Sequence, residues 1–190
     1  MYSTRITSLI VLACWLVWSI YWIANIKNSK KVVEHHSGAG KYAFLLGLNF
    51  IFLLVTSRGW PIVGASLFNY SPDVADVAAA VAVVGVAITL WSRWILADNW
   101  SPDVAIKKNH KLVTNGPYAL VRHPIYTGLL GLSVGTAMIQ GTWVAFLGLA
   151  CGLVSCWIKL NQEEQMMLGH FGQAYKNYQS HTKRLIPLVF

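Results

Sequence analysis

Acidic side chains are scarce in this sequence: seven Asp and Glu stand against fifteen Lys and Arg in 190 residues, a net charge of +8. Charged residues of both signs make up only 12% of the chain, 55% is hydrophobic, and the mean hydropathy is +0.49. A water-soluble domain of this length cannot hide so much apolar surface, so composition points to a polytopic membrane protein of one domain, residues 1–190. The three cysteines, Cys14, Cys151 and Cys156, all fall within apolar runs and imply neither a disulfide framework nor a zinc site. A metal is not expected: six histidines are scattered, adjacent His35 and His36 cannot both face one ion on a helix, and no acid or Cys stands at ligand spacing. Glycine-rich dinucleotide and P-loop signatures and HExxH are missing as well, which removes Rossmann, P-loop and zincin chemistry. With no soluble domain there is no place for a nucleic acid, and no internal repeat or low-complexity tract breaks the chain.

What is present is a series of apolar runs. Three are long enough to cross a hydrocarbon core of about 30 Å, at 6–26, 42–63 and 77–97. Two shorter ones follow at 125–139 and 142–158, giving an all-α bundle of about five transmembrane helices. The first run lacks a strongly basic leader and a small-residue cleavage site, so it is expected to remain as a span. If the segment after it is cytoplasmic, twelve of the fifteen Lys and Arg, from Lys27 to Arg184, face the cytoplasm, Arg5 and Arg58 face outward, and Arg93 lies inside the third span as a snorkelling cation. That asymmetry puts the N-terminus outside and the C-terminus inside. The positive charge is then mainly a topology signal, with anionic lipid headgroups as a second use.

This layout gathers the polar chemistry on the cytoplasmic face, in residues 98–126 and 159–187. Asp73 and Asp76, after Ser71 and Pro72, read as an outer loop leading into the third helix, and the segment from Asn25 to Lys41 reads as a basic connector. The fourth and fifth runs form a hairpin turning at Gln140–Gly141–Thr142. Gly128, Gly131 and Gly135 on its first arm, with Gly148 and Gly152 on its second, are small residues that let helix backbones approach closely. The first arm reaches only about 22 Å, short of the hydrocarbon thickness, so Arg122 and His123 just before it are drawn into a pocket below the membrane surface. Leu168, Phe171, Tyr175 and Tyr178 recur at spacings of three and four, which predicts an amphipathic helix over 162–180 lying across the cytoplasmic face.

The cytoplasmic cluster holds His110, Tyr118, Arg122, His123, Tyr126, Lys159, Glu163 and Glu164, and two adjacent carboxylates just past an apolar run are costly there without a partner. In order, AspAsnTrpSer at 98–101, HisLysLeuVal at 110–113, GlyProTyr at 116–118, ArgHisProIleTyr at 122–126, GluGlu at 163–164 and PheGlyxxTyrxxTyr at 171–178, ending in ArgLeuIlePro at 184–187, resemble the isoprenylcysteine carboxyl methyltransferase family. That family belongs to a wider group of membrane methyltransferases that includes phospholipid N-methyltransferases. The match covers about residues 90–190, with the five-span layout of the small prokaryotic members. The ArgHisProxTyr string by itself also occurs in sterol reductases of the same membrane superfamily, which bind a nicotinamide cofactor.

The resemblance implies S-adenosylmethionine as methyl donor, held between the cytoplasmic ends of the last helices. Carried over by position, the donor meets His110, Lys111, Leu112, Val113, Tyr118, His123, Pro124, Ile125, Tyr126 and Glu163, and Asp103 stands where some relatives have a cofactor-facing glutamine. Glu163 can accept from ribose hydroxyls or an amino group, Tyr118 or Tyr126 can face a sulfonium, and Arg122 or His123 can pair the donor's carboxylate. Where the family has an arginine that orients the substrate, this chain has Lys159, one helical turn before Glu163; it keeps the charge without the bidentate fork, and a snorkelling helix end is the plain alternative. The implied reaction is methylation of an isoprenylcysteine-like carboxylate, which is ionised at neutral pH and needs no general base. The lipophilic or prenylated acceptor would enter from the bilayer. An amine acceptor would instead call on His123 or Glu163 as base. A nicotinamide-dependent reductase and a non-catalytic membrane protein are the other readings, and the sequence carries no signal for an oligomeric state.

Overall fold

A computed structural model of the chain describes residues 2–25, 32–35, 47–48, 67, 71–100 and 104–187. The expected span at 42–63 lies outside the described residues apart from 47–48. Five α-helices are described: α1 (Tyr2–Asn25), α2 (Pro72–Leu96), α3 (Pro124–Gln140), α4 (Trp143–Phe171) and α5 (Gln173–His181). Among the described residues, three helical stretches are long and apolar enough to cross a membrane: Arg5–Asn25, Pro72–Asn99 and Trp143–Phe171. Their outer faces expose Leu9, Ile20, Val84, Trp94, Leu153 and Val154, among others. In water so continuous an apolar surface is a liability; against lipid it is the expected solvent-facing coat. The protein is an integral membrane helical bundle.

Several boundaries depart from the sequence expectation for local reasons. The helix α2 begins at Pro72, five residues before the apolar run, because Ser71 caps it by accepting from the Val74 N–H at 3.3 Å and Pro72 fits the first turn. Asp73 and Asp76 are therefore helical, with Asp73 in the first turn, where the helix dipole favours an anion. The predicted separate helix over 162–180 does not exist as such. No Gly or Pro interrupts residues 157–168, so α4 continues through the acidic pair to Phe171 and breaks only at Gly172 (φ 52°, ψ −120°), after which α5 starts. The connector after α1 also carries a short strand: β1 (Val32–His35) pairs antiparallel with β2 (Ala105–Lys107), Glu34 opposite Ile106 and His35 opposite Ala105.

Among the described residues, a tight seam, the packing of Val11 and Cys14 of α1 in one core with Ala78, Ala82 and Val86 of α2, and a hydrogen-bonded strut hold the bundle. Along the seam, α2 and α3 meet backbone to backbone: a Cβ on Gly85 would stand 2.5 Å from the Leu132 nitrogen and 2.6 Å from the Gly128 oxygen. The glycines of α3 thus pack on α2, with Ala78 and Ala82 supplying the small side chains opposite. In a membrane this contact gains dispersion energy and not hydrophobic burial, so closeness of approach is what stabilises it. The strut is Trp15 of α1, whose Nε1–H donates to Thr136 Oγ1 on α3 at 2.9 Å. Arg93 is not a snorkelling cation either. It is 3% exposed, donates to the Ala97 and Asn25 carbonyls at 2.5 and 3.0 Å, and lies 4.6 Å over the Trp100 ring, closing the ends of α1 and α2 together.

Candidate active site

Pro124 starts α3, and the residues just before it run alongside the chain's C-terminal segment. Arg122 N–H donates to the Lys183 carbonyl at 2.8 Å and His123 N–H to the Arg184 carbonyl at 3.1 Å, the hydrogen bonds of a short parallel bridge. Thr127 Oγ1 continues the register by donating to the Leu185 carbonyl at 2.7 Å. Two segments about sixty residues apart are thereby fixed beside α4, which brings in the acidic pair.

The two acids have different surroundings. Glu164 is buried and accepts from Arg122 Nε at 2.7 Å, Arg184 Nη2 at 2.8 Å and Gln179 Nε2 at 3.2 Å. Arg122 in turn donates to the Gln179 and Thr182 carbonyls, and Arg184 to Asn161 Oδ1 at 2.9 Å. This is a closed ionic knot, in which nearly every donor and acceptor is matched. Glu163, one residue earlier and so about 100° round the helix, keeps a quarter of its side chain exposed toward a cavity. It accepts from the Tyr126 hydroxyl at 2.6 Å, and His123 stands between the acids, its Nδ1 3.5 Å from Glu163 Oε2 and its Nε2 3.2 Å from Glu164 Oε1.

The cavity has a volume of about 540 Å³, within the range of small-molecule sites. His110, Lys111, Leu112, Val113, Tyr118, Arg122, His123, Ile125, Tyr126, Lys159 and Glu163 all line it. Pro124 is fully buried and does not line it, and Asp103 lies outside the described residues. Arg122 reaches the wall, but its guanidinium is committed to Glu164 and to backbone carbonyls. Lys159 Nζ lies 5.8 Å over the Tyr126 ring, on the cavity face of α4.

Helix geometry gives the cavity two ends. On α4 the lining runs from Gly152 to Met167, over about 22 Å, and includes Lys159 and Glu163, while on the antiparallel α3 it runs from His123 to Ser133. The polar groups thus gather at one end, and Leu129 and Leu130 extend a largely apolar trough toward the membrane interior, the Ser133 and Ser155 hydroxyls being turned back onto the Leu129 and Cys151 carbonyls of their own helices. Trp15, Trp18 and Trp22 form the facing wall from α1; Trp18 stacks on Trp22 at 4.8 Å and Trp22 meets Trp100 edge-on at 5.9 Å. These tryptophans and the paired Met166 and Met167 are lining residues that the motifs do not single out. Their one signal is spacing: 15, 18 and 22 share a helix face.

Phenols seal the polar end as neutral donors. Tyr178 donates to the Tyr118 carbonyl at 2.6 Å and Tyr118 to the Ser92 carbonyl at 3.4 Å. Burial, and then the nearby Glu163, pushes the Tyr118 pKa far above its ordinary value; burial likewise pushes Tyr178 up to about 12 against the pull of Arg122.

With that geometry in hand, residues 74–174 match the family model described as phospholipid methyltransferase, more than half of the chain. The chain belongs to the phospholipid methyltransferase family. Within the curated relatives, the protein-S-isoprenylcysteine O-methyltransferase of Schizosaccharomyces pombe is 36% identical over 94 residues, 48% of this chain and 40% of that one. The Tribolium castaneum protein of the same name is 29% identical over 120 residues, 60% of this chain and 42% of that one. This family member therefore spans about two fifths of the length of the relatives it matches. A solved structure of the eukaryotic intramembrane Ras methyltransferase, an isoprenylcysteine carboxyl methyltransferase, shares its fold with a TM-score of 0.56 at 24% identity, over 83% of this chain and 55% of that one.

Proposed function

We propose that this protein is an S-adenosylmethionine-dependent membrane methyltransferase that esterifies the carboxylate of an isoprenylcysteine-like lipophilic acceptor, with its site on the cytoplasmic face. The observation that carries this reading is the two-ended cavity: a polar end with a carboxylate and a cation one helical turn apart, continuous with an apolar trough. The names of the curated relatives support the same chemistry.

The residues present suit the donor. Glu163 offers an acceptor oxygen toward the cavity, Tyr118 and Tyr126 offer aromatic faces to a sulfonium, and His110 to Val113 with His123 to Tyr126 complete the wall. When bound, S-adenosylmethionine supplies an electrophilic methyl group on sulfur. Lys159 would pair the acceptor's carboxylate and aim it, Glu163 would hold the donor, and the tryptophan wall and buried phenols would keep water from the charged groups. An ionised carboxylate needs no base, so no proton has to be moved.

The family model's description makes an amine-bearing phospholipid the competing acceptor, and Lys159 discriminates between them. Labelled methyl transfer to a prenylcysteine and to phosphatidylethanolamine should be followed with the parent, Lys159→Met and Lys159→Arg. Carboxylate anchoring predicts that Lys159→Met slows transfer to prenylcysteine roughly a hundredfold, the scale of a lost charge-assisted contact of ~3 kcal/mol. Donor affinity should hardly change, and Lys159→Arg should retain or raise activity. Transfer only to phosphatidylethanolamine, with Lys159→Met neutral or faster, would establish the amine acceptor. Calorimetric binding of NADPH in place of S-adenosylhomocysteine would replace the methyltransferase reading with a reductase.

A further inference from the structure

His123 is caught between two anions. Its two ring nitrogens stand 3.5 Å from Glu163 Oε2 and 3.2 Å from Glu164 Oε1, and the ring is 8% exposed. An ionised carboxylate only accepts hydrogen bonds, and a neutral imidazole donates from one nitrogen alone. In either tautomer, one nitrogen would therefore turn a lone pair on a carboxylate. Only the doubly protonated ring satisfies both sides.

Nothing nearby offers the acids an escape by rotation. Glu164 is pinned by Arg122, Arg184 and Gln179, and Glu163 by Tyr126. The groups facing the ring from α4 are Glu163 and Glu164, with Lys159 one turn away; from α3 it is Tyr126, and from the flanking segments Arg122 and Arg184. The cations are engaged on the far side of Glu164 or above Tyr126, so the two carboxylates dominate the field at the imidazole. Burial pulls the His123 pKa down, but the hydrogen bonds and charges of Glu163 and Glu164 outweigh it and hold it above the ordinary 6.5.

We propose that His123 is a positioning residue that works as an imidazolium, tying the cavity-facing Glu163 to the fixed Glu164, so that loss of its proton frees one of the two anchors of Glu163 and weakens ligand retention. The ligand half of this inference rests on the donor-binding reading of the cavity; the charge on the ring does not.

The sign of the pH dependence follows. Because the folded pKa is raised, the stabilisation is fully present below 6.5 and is lost as pH rises through the folded value. Nitrogen NMR of the full-length protein with ¹⁵N-histidine, in detergent micelles, tests the charge directly. His123 should give two protonated ring nitrogens at pH 7.5, where exposed histidines are neutral. Its signal is assigned by its loss in His123→Gln or, if that variant does not fold, by removing the other five histidines one at a time. A neutral tautomer at pH 7.5 overturns the proposal whatever the cavity binds.

Calorimetry with S-adenosylhomocysteine from pH 6.5 to 9.5 tests the positioning. Parent affinity should fall roughly tenfold more than that of His123→Gln, the scale of a lost charge-assisted contact, and the difference removes the ligand's own titration. Parallel curves would overturn the positioning role even with the imidazolium observed. No binding at any pH would sink the donor reading, and the nitrogen spectrum with the parent's pH-dependent melting would then decide the imidazolium bridge alone.

Discussion

The two sides of α3 are built on opposite plans. Against α2, Gly128, Gly131 and Gly135 let the two backbones approach closely, with only small side chains such as Thr89 and Ala82 at the contact. Against α4, the helices touch around Ala137 and Ala145 near the hairpin turn, and further toward Pro124 and Glu163 both helices contribute lining residues to the cavity. The first side is a scaffold with no room for an added atom at Gly128 or Gly135; the second is a space that must stay open. One helix therefore separates the part of the molecule that sets stability from the part that sets chemistry, and the acidic pair repeats the division one residue apart.

The largest effect is expected on the scaffold side. In Gly128→Ala the new Cβ would lie 2.5 Å from the Gly85 oxygen and 2.8 Å from the Thr89 nitrogen, both backbone atoms of α2. Neither can move without parting the helices, so we expect a loss of about 3 kcal/mol or more, read as a large drop in detergent melting temperature. Gly131→Ala is the control: its Cβ meets Gly85 Cα at 3.4 Å, an ordinary contact. Equal melting of the two variants would show that the seam is looser than its geometry.

The acidic pair comes next. Glu164→Gln leaves Arg122 and Arg184 facing a neutral amide in a buried knot, and breaking such a pair costs about 3 kcal/mol. Glu163→Gln should cost less stability than that, because only His123 and Tyr126 lose a charged partner there, and should weaken S-adenosylhomocysteine by about 1.5–3 kcal/mol, the loss of a charge-assisted hydrogen bond. Melting curves and calorimetry on both proteins would expose the pattern. If Glu164→Gln lost affinity but not stability, the structural and ligand-facing roles would have to be exchanged.

Hydropathy made the first, third and fifth runs legible as membrane-spanning helices, since about twenty apolar residues in a row admit few readings, and the ordered motifs located the polar end of the cavity wall. Lys159 and Glu163 could be put on one face because four residues make a turn. What the sequence did not disclose was set by distant partners. The division of labour between Glu163 and Glu164 depends on Arg122, Arg184 and Gln179, which lie 42, 20 and 15 residues from Glu164. Nothing local to Glu163–Glu164 states which acid they choose. Arg93 looked like a helix-end cation because its acceptors, the Asn25 and Ala97 carbonyls, carry no side-chain signature. The strand at Val32–His35 is four residues long and exists by pairing with β2, which periodicity over so short a stretch cannot reveal.

The smallest expected effect has the opposite sign and uses the same substitution. Gly169 lies within α4 on its exposed final turns, and a Cβ built there meets nothing within 4 Å. Its backbone is helical, so alanine would strain nothing in the folded chain and would remove conformational freedom from the unfolded one. Gly169→Ala should therefore raise stability by about 0.5–1 kcal/mol, the helix-interior difference between the two residues. Donor affinity should not move, because Gly169 is absent from the cavity wall. A gain in melting temperature with unchanged S-adenosylhomocysteine affinity would show that a glycine of α3 is set by a neighbouring backbone while one of α4 is set by nothing nearby. A loss of stability would mean that the end of α4 needs the flexibility of Gly169, joined to that of Gly172, to turn into α5.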